Sequence, residues 1–90
     1  MSVMVHIPTI LRTFTNDQKT VTSSGESVCE VIDKLEIDFP GIKDRLVKEG
    51  DVHGFINFYV NDDDIRFGKG LQTTVKVGDV ITILPAVAGG

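Results

Sequence analysis

The sequence predicts an α+β fold in two layers, a mixed β-sheet with one main helix packed on one face. Three observations carry this prediction. Helical periodicity is sustained in one segment only, Val28 to Phe39. β-Branched and aromatic runs lie on both sides of that segment. The last run, Val80-Ile81-Thr82-Ile83-Leu84, is nearly continuous in apolar side chains, as in a strand at a sheet centre.

Val3, Val5 and Ile7 alternate with Met4, His6 and Pro8, which gives a strand with one buried face. Thr13 to Asp17 supplies a polar turn and Lys19-Thr20-Val21-Thr22 a β-branched return, so residues 3–22 read as an antiparallel hairpin. Ser27-Val28-Cys29-Glu30 is a capping box, in which the Ser27 hydroxyl accepts from the Glu30 amide and the Glu30 side chain reaches back. Val28, Val31, Ile32 and Leu35 then fall on one helical face. Phe39 continues the stripe, Pro40-Gly41 stops it, and Glu30, Asp33 and Lys34 point to solvent. Ile37 is off the stripe, so either the helix frays there or an apolar side chain is exposed. A second short helical turn is expected from Ile42 to Lys48, with Ile42 and Leu46 on one side.

Phe55 to Val60 is a strong strand, Asn61-Asp62-Asp63 is turn chemistry, and Asp64 to Phe67 returns antiparallel. Gly68-Lys69-Gly70 breaks the chain again. After the Gly78-Asp79 turn, the final run lacks alternation, which predicts a central strand, covered on both faces and paired in parallel. Pro85 has no N–H and ends its ladder. The order is β-β-α-β-β-β. With the last strand beside the first at the sheet centre, this is the β-grasp, or ubiquitin-like, arrangement. Residues 1–84 are expected to form that domain and residues 85–90 a flexible tail.

Composition limits the function classes. Ninety residues leave room for one domain and little for an enclosed active site. The charge of 9 − 13 = −4 disfavours nucleic acid and favours partners with basic surfaces, expected around a cleft that takes in the tail. A single Cys, Cys29, excludes an intramolecular disulfide. No signal peptide or membrane-spanning run is visible, so the expected location is the cytoplasm.

Catalytic constellations are hard to find. His6 and His53 sit in unrelated segments without metal-ligand spacing and read as surface or structural residues. His6 is still placed to touch a partner from an exposed sheet face. Cys29, in the first helical turn beside the apolar stripe, reads as a half-buried filler. Asp62-Asp63-Asp64 lacks the alternate ligands, central Gly and distal Glu of a calcium loop and reads as a solvated hairpin tip. Gly68-x-Gly70 lacks the helix and Lys-Ser/Thr of a phosphate loop.

The unusual feature is Pro85-Ala86-Val87-Ala88-Gly89-Gly90, whose side chains shrink toward the tip. Six residues reach about 20 Å. Glycines are the costliest residues to order, so this is either a frayed end or a segment shaped to thread a narrow cleft. A carboxylate at Gly90 becomes reactive only after activation, typically as a mixed anhydride with AMP. The protein would then be a substrate rather than a catalyst.

The Phe55-to-Asp62 segment FINFYVND, the Gly78-Asp79-Val80 turn and the ILPAVAGG ending resemble ubiquitin-like sulfur carriers of the ThiS/MoaD family. The V-x-IPTILR opening from Val5 to Arg12 and the ending from Leu84 to Gly90 are most similar to the CysO-type carriers of cysteine biosynthesis. The resemblance implies that Gly90 is adenylated by an E1-like (MoeB/ThiF-type) adenylyltransferase using ATP and converted to a thiocarboxylate, a C-terminal 1-thioglycine. No trimming after Gly90 would be needed. It implies no bound cofactor, a PLP-dependent cysteine synthase or another sulfur-incorporating synthase as acceptor, and a metalloprotease that releases the product. Gly89, Ala88 and Val87 would thread the partner's cleft.

Docking needs a surface. With Ile56, Phe58 and Val60 facing the helix, Phe55, Asn57 and Tyr59 lie on the opposite face, and Phe55, Tyr59 and Leu84 are the expected partner-binding residues, with Val87 as a further anchor near the tail. Two other readings compete: a ubiquitin-like modifier joined through Gly90 to target lysines, and a passive binding module with a frayed tail.

Overall fold

A computed structural model describes residues 2–48, 50–52 and 56–85. Alternation at the start places Val3 and Val5 in the core and Met4 and His6 on the other face of β1 (Val3–His6). β2 (Thr20–Ser23) pairs with it antiparallel, Val5 opposite Val21. The long connection is structured: a 3₁₀ turn over Thr9–Phe14 buries Leu11, and the buried Thr15 hydroxyl donates to the Gln18 carbonyl at 3.0 Å. Asn16 and Asp17 take φ of 55° and 64°, a left-handed conformation that short polar side chains tolerate.

Helix α1 (Val28–Asp38) starts where the capping box predicts, with the Glu30 amide donating to Ser27 Oγ at 3.3 Å. The reciprocal bond differs by one residue: Glu30 Oε1 accepts from the Glu26 amide, at 3.3 Å. Val28, Val31, Ile32 and Leu35 are fully buried. Ile37 lies within the helix and is exposed, which settles the alternative left by its position. Phe39 packs half-buried against the core, and the chain leaves the helix there because Pro40 disfavours helical geometry in the residue before it. Gly25 lies against the first turn of α1 with φ 155°; a Cβ there would sit 2.8 Å from Glu30 Cβ and from the Val31 nitrogen.

The second helix, α2 (Lys43–Leu46), buries Ile42 and Leu46 as predicted but ends two residues early. Val47–Lys48 instead form β3, paired with β4 (Asp51–Val52) in a separate two-stranded ribbon. Val47 is β-branched, and Gly50 with φ 81° permits the tight return. Glu36 holds the α2 start, accepting from the Gly41 amide (3.0 and 3.1 Å) and the Lys43 amide (2.9 Å). Those two amide bonds keep its carboxyl below the usual range. A 2.7 Å bond to Asp33 holds the Lys43 ammonium above its own.

β5 (Ile56–Val60) alternates as predicted, with Ile56, Phe58 and Val60 buried. Its return, β6 (Asp63–Asp64), is shorter than the expected Asp64–Phe67. Asp64 Oδ1 accepts from the Arg66 amide at 2.8 Å, which turns Ile65–Phe67 into a 3₁₀ turn before a ladder can extend. β7 (Val80–Pro85) lies between β1 and β5, parallel to the first and antiparallel to the second. The main sheet order is therefore β2-β1-β7-β5-β6, the β-grasp arrangement.

The expectation that β7 is covered on both faces is corrected. Ile81 and Ile83 are buried, Val80 and Thr82 are half-buried, and Leu84 is exposed. The helical layer covers one face only, so a central strand can be apolar throughout and still leave one side open. Pro85 is itself the last residue of β7, opposite Ile56; a strand end tolerates the missing N–H. Among the described residues no helix is long and apolar enough to cross a membrane.

Candidate functional site: the open sheet face and the end of the last strand

The registers set out the open face row by row. Thr20, His6, Thr82, Tyr59 and Asp64 form one row across all five strands. Thr22, Met4 and Val80 form the next on one side, and Leu84 stands opposite Asn57 on the other. Met4 and Leu84 are 47% and 44% exposed, while Tyr59 and Asn57 are half-buried. His6 Nδ1 lies 3.2 Å from Thr20 Oγ1 on this face.

Of these residues only Asp64, at the edge, carries a formal charge at pH 7 with His neutral. The acidic excess sits elsewhere, on the outer side of α1 at Glu30 and Asp33 and at the β5–β6 corner at Asp62 and Asp63. The face that leads to the chain end is neutral except for Asp64 at its edge, and it mixes Met4, Val80 and Leu84 with the polar Thr20, Thr22, His6, Thr82 and Asn57. Asn57 Oδ1 is buried there without a hydrogen-bond partner among the described residues.

Among the described residues Leu84 and Pro85 are held by β5 alone, since β1 pairs with β7 only as far as Thr82. Arg66 reaches across the turn to steady that exit: its Nη2 donates to the Ile56 carbonyl at 2.8 Å, beside Pro85. The other end of β7 is fixed by Asn61, whose Oδ1 accepts from the Val80 amide at 3.1 Å and whose amide donates to the Val80 carbonyl at 2.7 Å. Asn61 Nδ2 donates to Asp79 Oδ1 at 3.2 Å. Local periodicity could not find Arg66 or Asn61, because their contacts span 10 and 19 residues.

Tyr59 and Leu84 are thus brought together, two rows of one face. Phe55, Val87, Ala88, Gly89 and Gly90 lie outside the described residues, as does His53. Cys29 is half-buried beside Ile32, Lys43, Val47 and Leu71 in a recess of about 280 Å³ away from this face. Among the described residues no group of three or more His, Cys, Asp or Glu could hold a metal ion.

The model of the ThiS family matches residues 5–90. The sulfur carrier protein CysO of Mycobacterium tuberculosis is 52% identical over 93 aligned residues, covering 100% of this chain and 100% of that protein. A chain in the crystal structure of the Amycolatopsis orientalis BexX/CysO complex superimposes with a TM-score of 0.93 at 59% identity, covering 98% of this chain and 99% of that one. Small archaeal modifier protein 3 of Haloferax volcanii is 31% identical over 64 residues, 71% of this chain and 70% of that protein.

Proposed function

The chain belongs to the ThiS family, and from that premise we propose that it carries sulfur on Gly90 and delivers it to an acceptor enzyme. An E1-like adenylyltransferase of the MoeB/ThiF type uses ATP to convert the Gly90 carboxylate to an acyl-adenylate. A sulfur nucleophile then displaces AMP and leaves a thiocarboxylate. The carrier holds no cofactor and supplies no catalytic side chain; its contribution is docking and reach. Leu84 and Tyr59 seat the open face on the partner, and the segment from Pro85 onward enters its cleft. Ala88, Gly89 and Gly90 are small enough for a narrow passage, and the partner's site shields the sulfur from water.

The observation that carries this reading is the open face, neutral except at its Asp64 edge, that leads to Leu84 and Pro85. Low charge together with Met4, Tyr59 and Leu84 matches the charge-depleted centre of a protein interface. The similarity to CysO supports a PLP-dependent cysteine synthase as acceptor and a metalloprotease that frees the product, all in the cytoplasm where ATP is at hand. Capture of a similar chain in a complex with BexX supports a stable docking step. Intact-mass spectrometry after incubation with an E1-like enzyme, ATP and sulfide tests the reading. Replacement of one oxygen by sulfur at Gly90 is expected, and an unchanged mass with active enzyme contradicts it.

The likeness to a small archaeal modifier protein favours a second reading, in which the activated Gly90 is joined to lysines of other proteins. Gly-Gly remnants on target lysines in the producing cells would establish it. Their absence, with thiocarboxylate present, leaves the carrier role alone.

A further inference from the structure

Phe67 is 91% exposed, the largest exposure of any bulky apolar side chain among the described residues. It is held in that position. Asp64 caps the 3₁₀ turn, the Gly68 amide donates to the Ile65 carbonyl at 3.1 Å, and Ile65 is buried at the turn's root. Between Phe67 and Tyr59 lies a recess of about 730 Å³, also lined by Ile65 and by Asp62, Asp63 and Asp64. Among the described residues neither Asp62 nor Asp63 has an ion-pair partner. Lys69 is the one cation lining the recess, so its formal charge is 1 − 3 = −2.

We propose that this recess is a second docking surface, and that its occupant is a loop of a partner protein presenting an apolar side chain flanked by lysine or arginine. The aromatic walls provide the contact area on burial. The uncompensated carboxylates select a cationic flank and steer its approach. The recess meets the open face at Tyr59 and Asp64 and extends from there to Phe67, Thr73 and Thr74, away from Leu84 and Pro85. Tyr59 stands beside Thr82, three residues or about 10 Å before Pro85. A partner held there leaves the chain end free to enter a cleft. This inference rests on the surface alone and does not depend on the chemistry at Gly90.

The test is an NMR titration of the ¹⁵N-labelled protein with the peptide acetyl-Arg-Lys-Leu-Phe-Lys-Arg-amide, at low and at moderate salt. Saturable amide shifts confined to Tyr59, Asp62 to Lys69, Thr73 and Thr74 are expected, with a Kd near or below about 1 mM. Phe67→Ser, which removes no core contact, should weaken binding at least about tenfold, a loss typical of a central aromatic anchor. The double variant Asp62→Asn/Asp63→Asn should weaken it several-fold and remove most of the salt dependence. A control peptide with glutamate at every basic position should produce no shift. The proposal is overturned by no saturable shift, by shifts centred on α1 or on the Met4–Leu84 face, or by equal binding to Phe67→Ser. Self-association through Phe67 without peptide binding would assign the recess to a second copy and also overturn it.

Discussion

The two faces of the central sheet are built from the same strands and answer to different demands. On one, Phe58, Ile81, Ile83 and Val5 share a single buried core with Val31 and Leu35 of α1, with almost no exposure. On the other, Leu84 and Met4 are exposed and Tyr59 and Asn57 half-buried, with no charged side chain among the four. Alternation along a strand lets one sequence serve both, since neighbouring residues belong to opposite faces. The difference teaches that burial alone separates what folds this protein from what it offers to partners. Substitutions on one face should move stability and leave docking, and substitutions on the other should do the reverse.

The largest effect is expected beyond the sheet, at the chain end. Deleting Gly89-Gly90, or adding one residue after Gly90, should abolish thiocarboxylate formation by intact mass while the melting temperature stays unchanged. Next is Phe58→Ala, which removes a ring that is 1% exposed. A loss of about 3–5 kcal/mol is expected in urea unfolding, a large share of the stability of a domain this small. Gly25→Ala should cost about 1–3 kcal/mol, because its Cβ would press on backbone at the start of α1. Leu84→Ala should leave stability within about 0.5 kcal/mol yet lower kcat/KM for loading by the activating enzyme about fivefold or more. Equal losses of stability and loading in that variant would break the division between the faces.

The smallest effect concerns pH. Glu36 has its carboxyl pKa lowered in the fold by the Gly41 and Lys43 amides. A depressed carboxyl contributes stability that is fully present above its unfolded value and is lost as pH falls through the folded one. The window therefore opens below about the ordinary 4.5. Glu36→Gln should flatten the acid limb of the stability curve there, measured by melting temperature between neutral and acidic pH. An unchanged acid limb would remove Glu36 as the anchor of α2.

Much of the fold was legible because its signals are local. The Ser27–Glu30 cap, the Val28–Leu35 stripe and the alternation of Ile56–Val60 each specify their element within a few residues. The central, parallel place of β7 followed from its apolar run. The same run misled about covering, since continuous apolarity does not reveal how many layers pack on a sheet. The β3–β4 ribbon went unread because two-residue strands carry no period, and β6 was overextended because the Asp64 cap competes with the ladder. In the site, alternation could place Tyr59 on the face away from the helix, whereas Leu84 lies in a run without alternation and takes its face from the register with Asn57. Arg66, Asn61 and the exposed turn at Phe67 could not be placed, because tertiary contacts between distant segments position them. The distribution of charge was likewise invisible to a sum: −4 describes the chain, and the open face carries almost none of it.

The division between the faces is tested most directly by cross-saturation NMR of the deuterated carrier bound to its protonated activating enzyme. Signal loss should concentrate at Met4, Tyr59, Thr82 and Leu84, with Glu30, Asp33 and Lys34 on the outer side of α1 unaffected. Signal loss centred on α1, with the Leu84 face untouched, would contradict the account.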